Sequence, residues 1–124
     1  MVSRRRPDSK PGNMGYIPRR GDLVWVNFSP QAGHEQAGRR PAIVLSPDSY
    51  NVKIGLALIC PVTSRIKGFP FEVLLPPGLP VSGVILADQI RSLDWRERRA
   101  ELICSLPGEF VHHALHKASL LLKE

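Results

Sequence analysis

Residues 21–28, GDLVWVNF, are the stretch from which the fold can be deduced. Leu23 and Trp25 alternate with Val24 and Val26, so apolar side chains point to both faces of an extended chain. The pattern predicts a strand that is covered on both faces, at least in part.

Similar apolar segments recur along the chain, separated by Gly, Pro and Ser. They occupy residues 41–47, 55–64, 71–76, 84–93 and 100–105. Strands at this spacing, roughly ten to fifteen residues apart, favour an antiparallel sheet curled into a small barrel. Parallel βαβ units would need helices between the strands, and we expect no room for them. The predicted class is mainly β with a C-terminal α-helix.

One helix is predicted, at the C-terminal end. Ser105 can cap it, Pro107 suits its first turn, and Glu109 complements the positive end of its dipole. Apolar residues then recur at helical spacing, and we expect them to pack on the sheet: Phe110, Val111, Ala114, Leu115, Ala118, Leu121 and Leu122.

Composition excludes several classes of protein. A chain of 124 residues is one domain by length and can bury a core without disulfide bonds. No apolar run approaches the ~18 residues that a membrane span needs, and no signal peptide is recognisable, so a cytoplasmic protein is expected. Cys60 and Cys104 lie inside apolar runs, which indicates buried thiols and no metal site.

Positive charge is concentrated at the N-terminus. Residues 1–20 carry +5 of the formal net charge of +6. Their Arg, Pro and Gly content predicts a disordered tail ahead of a folded domain at residues 21–124. The tail's use is open between phosphate attraction and solvation, and a start at Met14 would lower the net charge to +3.

The loop GHEQAGRRP, residues 33–41, is rich in functional groups. Arg39 and Arg40 offer planar forks that match phosphate oxygens, Glu35 can accept a proton, and Gln36 can hydrogen-bond to a base edge. The alternative is a solvated hairpin with an internal ion pair between Glu35 and Arg40.

Two further segments place polar groups at or within strands. Thr63 and Ser64 end one strand and are followed by cations, which makes either a phosphate-binding site or an ordinary loop. Asp88, Gln89 and Arg91 interrupt another apolar strand. Polar groups there face a polar surface or hydrogen-bond to a neighbouring loop.

Five segments together resemble the MazF/PemK family of bacterial toxin endoribonucleases. They are GDLVWVNFSP, GHEQAGRRPAIVLSP, CPVTSRIKGFPFEV, SGVILADQIRSLDW and the final helix. The resemblance covers about residues 21–124, and the combination of its motifs is specific. It implies an SH3-like small β-barrel with a C-terminal helix, working as a homodimer.

The resemblance also implies an activity and a partner. Arg40 and Thr63 would handle the scissile phosphate with Glu35 assisting, in a metal-free reaction that needs no cofactor. The ribose 2′-hydroxyl of single-stranded RNA, such as mRNA, rRNA or tRNA, would attack its neighbouring phosphorus, giving 2′,3′-cyclic phosphate and 5′-hydroxyl ends and inhibiting translation and growth. A cognate MazE-like antitoxin with a disordered acidic tail would neutralise it. Candidate RNA-binding residues are Gln36, Arg39, Ser64, Lys67, Phe69, Asp88, Gln89 and Arg91.

Two departures and two rival functions accompany the resemblance. The basic lead-in is longer than usual, and Leu86 stands where some relatives have an arginine, which favours a mechanism based on Glu35, Arg40 and Thr63 over one based on Asp88. A gyrase poison with the same barrel would carry a tryptophan-bearing C-terminal tail, whereas this chain ends LLLKE. A catalytically silent RNA-binding barrel would have no need of the three catalytic candidates.

Overall fold

The computed structural model describes residues 15–29 and 38–123. Within these ranges the chain forms seven strands and two helices: β1 Asp22–Asn27, β2 Arg39–Val44, α1 Asp48–Ile54, β3 Leu56–Thr63, β4 Glu72–Leu74, β5 Val84–Leu86, β6 Arg91–Asp94, β7 Glu101–Ser105 and α2 Gly108–Leu120. The strands pair antiparallel in the order β4-β5-β3-β2-β1-β7, and β6 pairs with β3. The predicted class, a curled antiparallel sheet with a C-terminal helix, is confirmed.

Strand β1 has an apolar core on each face. Leu23 packs in the core that also contains Ile43 of β2 and the buried side of α2. Val24 and Val26 pack in the second core with Trp95. The prediction from GDLVWVNF, a strand covered on both faces, is therefore confirmed.

The predicted single strand over residues 84–93 is wrong. The segment forms β5 and β6, separated by a turn in which the Gln89 N–H donates to the Leu86 carbonyl at 3.0 Å. Both short strands pair with β3, β5 through Thr63↔Val84 and β6 through Leu56↔Asp94. Of the polar residues that interrupt the apolar run, Asp88 and Gln89 therefore mark a turn, and Arg91 begins β6.

The expectation that no helix fits between the strands is also wrong. The seven-residue α1 connects β2 to β3 and ends at Gly55, whose φ of 83° is left-handed. Strands β2 and β3 are nevertheless antiparallel neighbours, so the inferred sheet type is unaffected.

Asn51 of α1 joins three parts of the fold. Its side-chain amide is fully buried and donates to the carbonyls of Pro18 at 2.8 Å and Ser46 at 3.1 Å. Its side-chain oxygen accepts from the Ser46 hydroxyl at 2.6 Å, and its backbone carbonyl accepts from the Trp95 indole at 3.0 Å. The chain ahead of β1 is thereby fixed to α1 and to the segment after β6.

The folded region begins before Gly21. Tyr16 is only 2% exposed, lies in the second core and donates its hydroxyl to the Asp22 carboxylate at 2.9 Å. Residues 1–14 lie outside the described residues, so a disordered tail there stays a prediction.

Helix α2 packs on the sheet through Val111, Ala114 and Ala118, as predicted. The prediction is wrong for Leu121 and Leu122, which follow the end of the helix and are exposed. The predicted cap is wrong, because Ser105 is the last residue of β7 and donates its hydroxyl to Asp22 at 3.4 Å. The N-cap position belongs to Pro107. No helix in the described ranges is both long and apolar enough to cross a bilayer.

Replacing Asn51 with leucine, of similar size, should lower the free energy of unfolding by about 2–4 kcal/mol, because the buried partners of its amide lose their hydrogen bonds. Lys53→Ala, at an exposed position of the same helix, should change it by less than ~0.5 kcal/mol. Urea denaturation of the full chain measures both. Equal stabilities of the two variants would contradict the role given to Asn51.

Candidate active site

The candidate site lies where the β2–β3 ladder ends. Its last pair is Ala42↔Pro61, and the next residue of β2 is Pro41. Because proline has no N–H, Pro41 cannot donate the next hydrogen bond of this ladder. Beyond this point β3 pairs with β5 through Val62 and Thr63, and a cleft opens beside the end of β2.

Arg40 and Thr63 lie on the two sides of this cleft. The register of the ladder, continued by two residues, sets them opposite each other. Both line the cleft, which has a volume of about 510 Å³ and is called the Arg40 cleft below. Its other lining residues are Phe28, Pro61, Val62, Leu86, Gln89, Ile90 and Arg91.

The Thr63 hydroxyl is oriented by its own loop. Its oxygen accepts the Arg65 backbone N–H at 3.2 Å, which leaves the hydroxyl proton able to donate to an anionic oxygen. The exposed Arg40 guanidinium can donate two parallel hydrogen bonds to a phosphate. The pair can therefore bind one phosphate from two sides.

A second cleft continues from the first. It has a volume of about 170 Å³ and shares Thr63, Leu86 and Gln89 with the Arg40 cleft. Its remaining lining residues are Arg65, Lys67, Phe69, Phe71 and Glu72. The two clefts form one continuous depression, called the groove below.

The groove combines positive charge with aromatic faces. Four cations line it: Arg40, Arg65, Lys67 and Arg91. The rings of Phe69 and Phe71 stack with centroids 5.4 Å apart, and the Arg91 guanidinium lies 5.3 Å from the centroid of Phe28. Cations along a depression with stacking surfaces suit a single-stranded nucleic acid.

Arg39 has a different environment from Arg40. Its guanidinium donates to the Asn27 side chain at 3.0 Å and the Arg99 carbonyl at 2.9 Å, and it pairs with Glu101 at 3.3 Å. Successive residues of a strand point to opposite faces, so the two arginines separate. The structure engages Arg39 with the protein and away from the groove.

The structure brings together some of the sequence-predicted residues and not others. Arg40, Thr63, Lys67, Phe69, Gln89 and Arg91 all line the groove. Ser64 and Asp88 are exposed next to it but belong to neither lining. Glu35 and Gln36 lie outside the described residues.

Sequence reasoning missed several groove residues, among them Phe28, Phe71 and Ile90. Phe28 follows a strand and was assigned to its alternation, and Phe71 was assigned to the start of another strand. Ile90 lies in the connection between β5 and β6, whereas the sequence predicted one strand over residues 84–93. An aromatic residue next to a cationic segment is the signal that could have found Phe71, whereas Phe28 has no cation near it in the sequence.

Cys60 lies beneath this region as a buried thiol. Burial raises its pKa to about 12, with a smaller contribution from the negative charge of Asp88. The thiol is therefore protonated and unreactive at neutral pH. Both cysteine thiols are buried, as predicted.

Another cleft, of about 460 Å³, involves Asn27, Leu56, Asp94, Glu97 and Arg98. Two of its charged groups already have partners, because Asp94 accepts from the Arg96 and Glu97 amides and Arg98 donates to two carbonyls. Among the described residues, no three His, Cys, Asp or Glu side chains are grouped as metal ligands.

Comparison with known proteins identifies the class. A family model described as a PemK-like, MazF-like toxin of type II toxin-antitoxin systems matches residues 19–122. The chain belongs to this toxin family, as its motifs predicted.

Individual relatives agree with this assignment. The endoribonuclease toxin MazF of Escherichia coli strain K12 is 55% identical over 85 residues, which cover 68% of this chain and 76% of that protein. The crystal structure of MazF (Form-I) from Deinococcus radiodurans superposes with a TM-score of 0.79 at 60% identity, covering 86% of this chain and 97% of that one. A MazE-MazF structure (Form-II) from the same organism gives a TM-score of 0.78 at 53% identity, covering 86% and 96%.

Gly83 allows the backbone to pass close to Thr63, on one side of the site. Its φ is 127°, and a Cβ added there would lie 2.1 Å from the Thr63 carbonyl oxygen. Gly83→Ala should therefore lower the free energy of unfolding by about 3 kcal/mol or more. Gly78→Ala is the matched control. The φ of Gly78 is also positive, at 90°, but an added Cβ would have no atom within 4 Å beyond its chain neighbours. This substitution should cost about 1 kcal/mol. Chemical denaturation compares the two, and equal losses would contradict the close approach at Gly83.

Proposed function

We propose that this chain is an endoribonuclease toxin that cleaves single-stranded RNA at a specific sequence without a metal. The ribose 2′-oxygen forms a bond to the adjacent phosphorus, and the bond from phosphorus to the 5′-oxygen breaks. The 2′-hydroxyl proton passes to a base and the leaving 5′-oxygen takes up a proton. The products carry 2′,3′-cyclic phosphate and 5′-hydroxyl ends, and cutting of mRNA stops translation and growth.

One observation carries the proposal: Arg40 and Thr63 line the two sides of one cleft, and that cleft opens into the cationic, aromatic groove. Guanidinium donors held in place stabilise the negative charge that builds up on a pentacoordinate phosphorus. A hydroxyl opposite them orients one phosphate oxygen. The names of the relatives, endoribonuclease toxins, support the same activity.

Glu35 is proposed as the base because of the family resemblance alone. Its carboxylate can accept the 2′-hydroxyl proton while Arg40 and Thr63 hold the phosphate. The proposed catalytic groups are thus a proton acceptor on the β1–β2 connection and hydrogen-bond donors to the phosphate on strands β2 and β3.

Nucleotides flanking the cut are proposed to lie along the groove. Phe69 can stack on a base, Gln89 can hydrogen-bond to a base edge, and Lys67 and Arg91 can contact phosphates. Gln36, Arg39, Ser64 and Asp88 stay predictions from the sequence. Recognition of unstacked bases in this way requires single-stranded RNA.

A MazE-like antitoxin and a homodimer are proposed as the toxin's assembly. The MazE-MazF structures from Deinococcus radiodurans superpose with this chain and support the antitoxin. An acidic disordered segment would find complementary charge along the groove and would exclude RNA from it. The likeness of this chain to those MazF structures is also the support for the homodimer.

The deciding experiment incubates the purified chain with a long, defined RNA in EDTA and maps the 5′ ends. We expect cuts at one short motif, with 5′-hydroxyl and cyclic phosphate ends. RNA that is bound but intact would instead support a silent RNA-binding barrel. Intact RNA together with stalled DNA gyrase would support a gyrase poison.

Arg40→Ala should lower kcat/KM for RNA cleavage by roughly 10²–10³-fold, because transition-state charge loses its fixed donor. The side chain is exposed, so the thermal midpoint should be close to wild type. Arg19→Ala removes an exposed arginine that lines no part of the groove and should cleave normally. Equal activity of the Arg40 variant and this control would remove Arg40 from the mechanism.

A single 2′-deoxynucleotide at the cleaved position should leave the RNA bound but uncut, because the attacking oxygen is missing. The matched control is the same oligonucleotide with the deoxynucleotide placed one residue outside the cleaved motif, which should be cut. Gel analysis of the two end-labelled oligonucleotides measures the difference. Cutting at the deoxy position would show a different chemistry.

A further inference from the structure

The β3–β4 loop, residues 64–71, presents one side of the groove and is held from below by a carboxylate. Glu72 is 9% exposed, and one of its oxygens accepts the Gly68 N–H at 2.9 Å. The Lys67 N–H lies 3.3 Å from both oxygens of the same carboxylate. The Glu72 side chain therefore fixes the turn at Gly68, where φ is 81°.

A lysine from the C-terminal helix holds the same loop from the other side. The Lys117 ammonium donates to the Glu72 carbonyl at 3.0 Å and also to the Pro70 carbonyl. The loop also contains a turn of its own, in which the Glu72 N–H donates to the Phe69 carbonyl at 3.1 Å. Glu72 and Lys117 together are called the loop clamp below.

The clamp orders a loop that has little burial of its own. Phe69 is 49% exposed and Ile66 is 59% exposed, so apolar packing does little to fix the loop. Yet four of its residues line the groove, namely Arg65, Lys67, Phe69 and Phe71. Charge-assisted hydrogen bonds from two elements thus hold exposed aromatic and cationic groups in one arrangement.

We infer that Glu72 and Lys117 are positioning residues that determine which nucleotides the groove accepts beside the cleaved phosphate. This inference rests on the proposed ribonuclease function. Neither Glu72 nor Lys117 lines the Arg40 cleft, so loss of the clamp should leave the chemical step intact. It should instead weaken binding of the preferred sequence and relax the choice among sequences.

The charged group of Lys117 can be removed with little change in packing by Lys117→Met. On RNA carrying the preferred motif, we expect KM to rise about tenfold and kcat to change less than about twofold, as expected for the loss of a hydrogen bond to a charged group. The ratio of cutting between the preferred motif and single-base variants should fall by a similar factor. Lys117→Arg keeps a charged donor and should retain the wild-type ratio.

Amide hydrogen exchange tests the clamp without reference to cleavage. Peptides that contain Lys67 and Gly68 should exchange at least about tenfold faster in Lys117→Met and in Glu72→Gln. Lys53→Met, an exposed lysine of α1, is the control for loss of one positive charge and should match wild type in all assays. Lys117→Met keeps the inference testable even where the buried Glu72 variant fails to fold.

The outcomes separate the two proposals. Faster loop exchange with unchanged discrimination would overturn the specificity role of the clamp, and unchanged exchange would overturn the clamp itself. A fall in kcat at constant KM would place these residues in the chemical step and also overturn the inference. Wild-type protein that leaves all RNA intact would instead overturn the proposed function, while exchange would still decide whether the clamp holds the loop.

Discussion

The early end of the β2–β3 ladder is the constraint on which the candidate site depends. Ala42↔Pro61 is its last pair, and Pro41, the next residue of β2, has no N–H to donate across it. Beyond this point β3 stays paired with β5 on its opposite edge, so the sheet opens only on the side of β2. Two side chains from separate strands thus reach one cleft on backbone that is hydrogen-bonded on its other side.

The groove joins a part that is fixed by strands to a part that is held by side chains. Arg40 and Thr63 are residues of β2 and β3, whose positions follow from sheet pairing. Lys67 and Phe69 belong to an exposed loop whose order comes from Glu72 and hydrogen bonds to α2. Such a division allows the loop to differ between related proteins without altering the geometry around the phosphate.

Local patterns were sufficient for the fold class, and for much of the groove. Alternation in β1 and the spacing of strands reflect burial on the two faces of a sheet, which the sequence records directly. The sequence could not separate β5 from β6, because a turn and an interrupted strand contain the same residue types until β3 is seen to pair with both. Nor could it decide between the two predicted places of Ser105, the end of a strand and a helix cap, since its hydroxyl is equally suited to the cap and to the bond with Asp22.

The same limit applies within the site. Arg39 and Arg40 are chemically identical, so only strand pairing could separate their environments. The role of Lys117 depends on a contact across 45 residues of chain. Residues such as Lys67 and Phe69 were predictable because their chemistry alone suits RNA. Positioning residues give no such signal, since their partners are backbone atoms elsewhere in the fold.

Because Arg39 and Arg40 are adjacent, the register of β2 decides which of the two lines the Arg40 cleft. A shift of β2 by one residue would exchange them, carrying Arg39 to the cleft and Arg40 to the opposite face, and the protein would retain a guanidinium beside Thr63. Three hydrogen-bonding partners hold Arg39 where it is, and the same shift would turn Ala42, Ile43 and Val44 to the wrong cores. The hydrogen bonds of Arg39 therefore help to fix the register of β2, so that Arg40 and not Arg39 lines the Arg40 cleft.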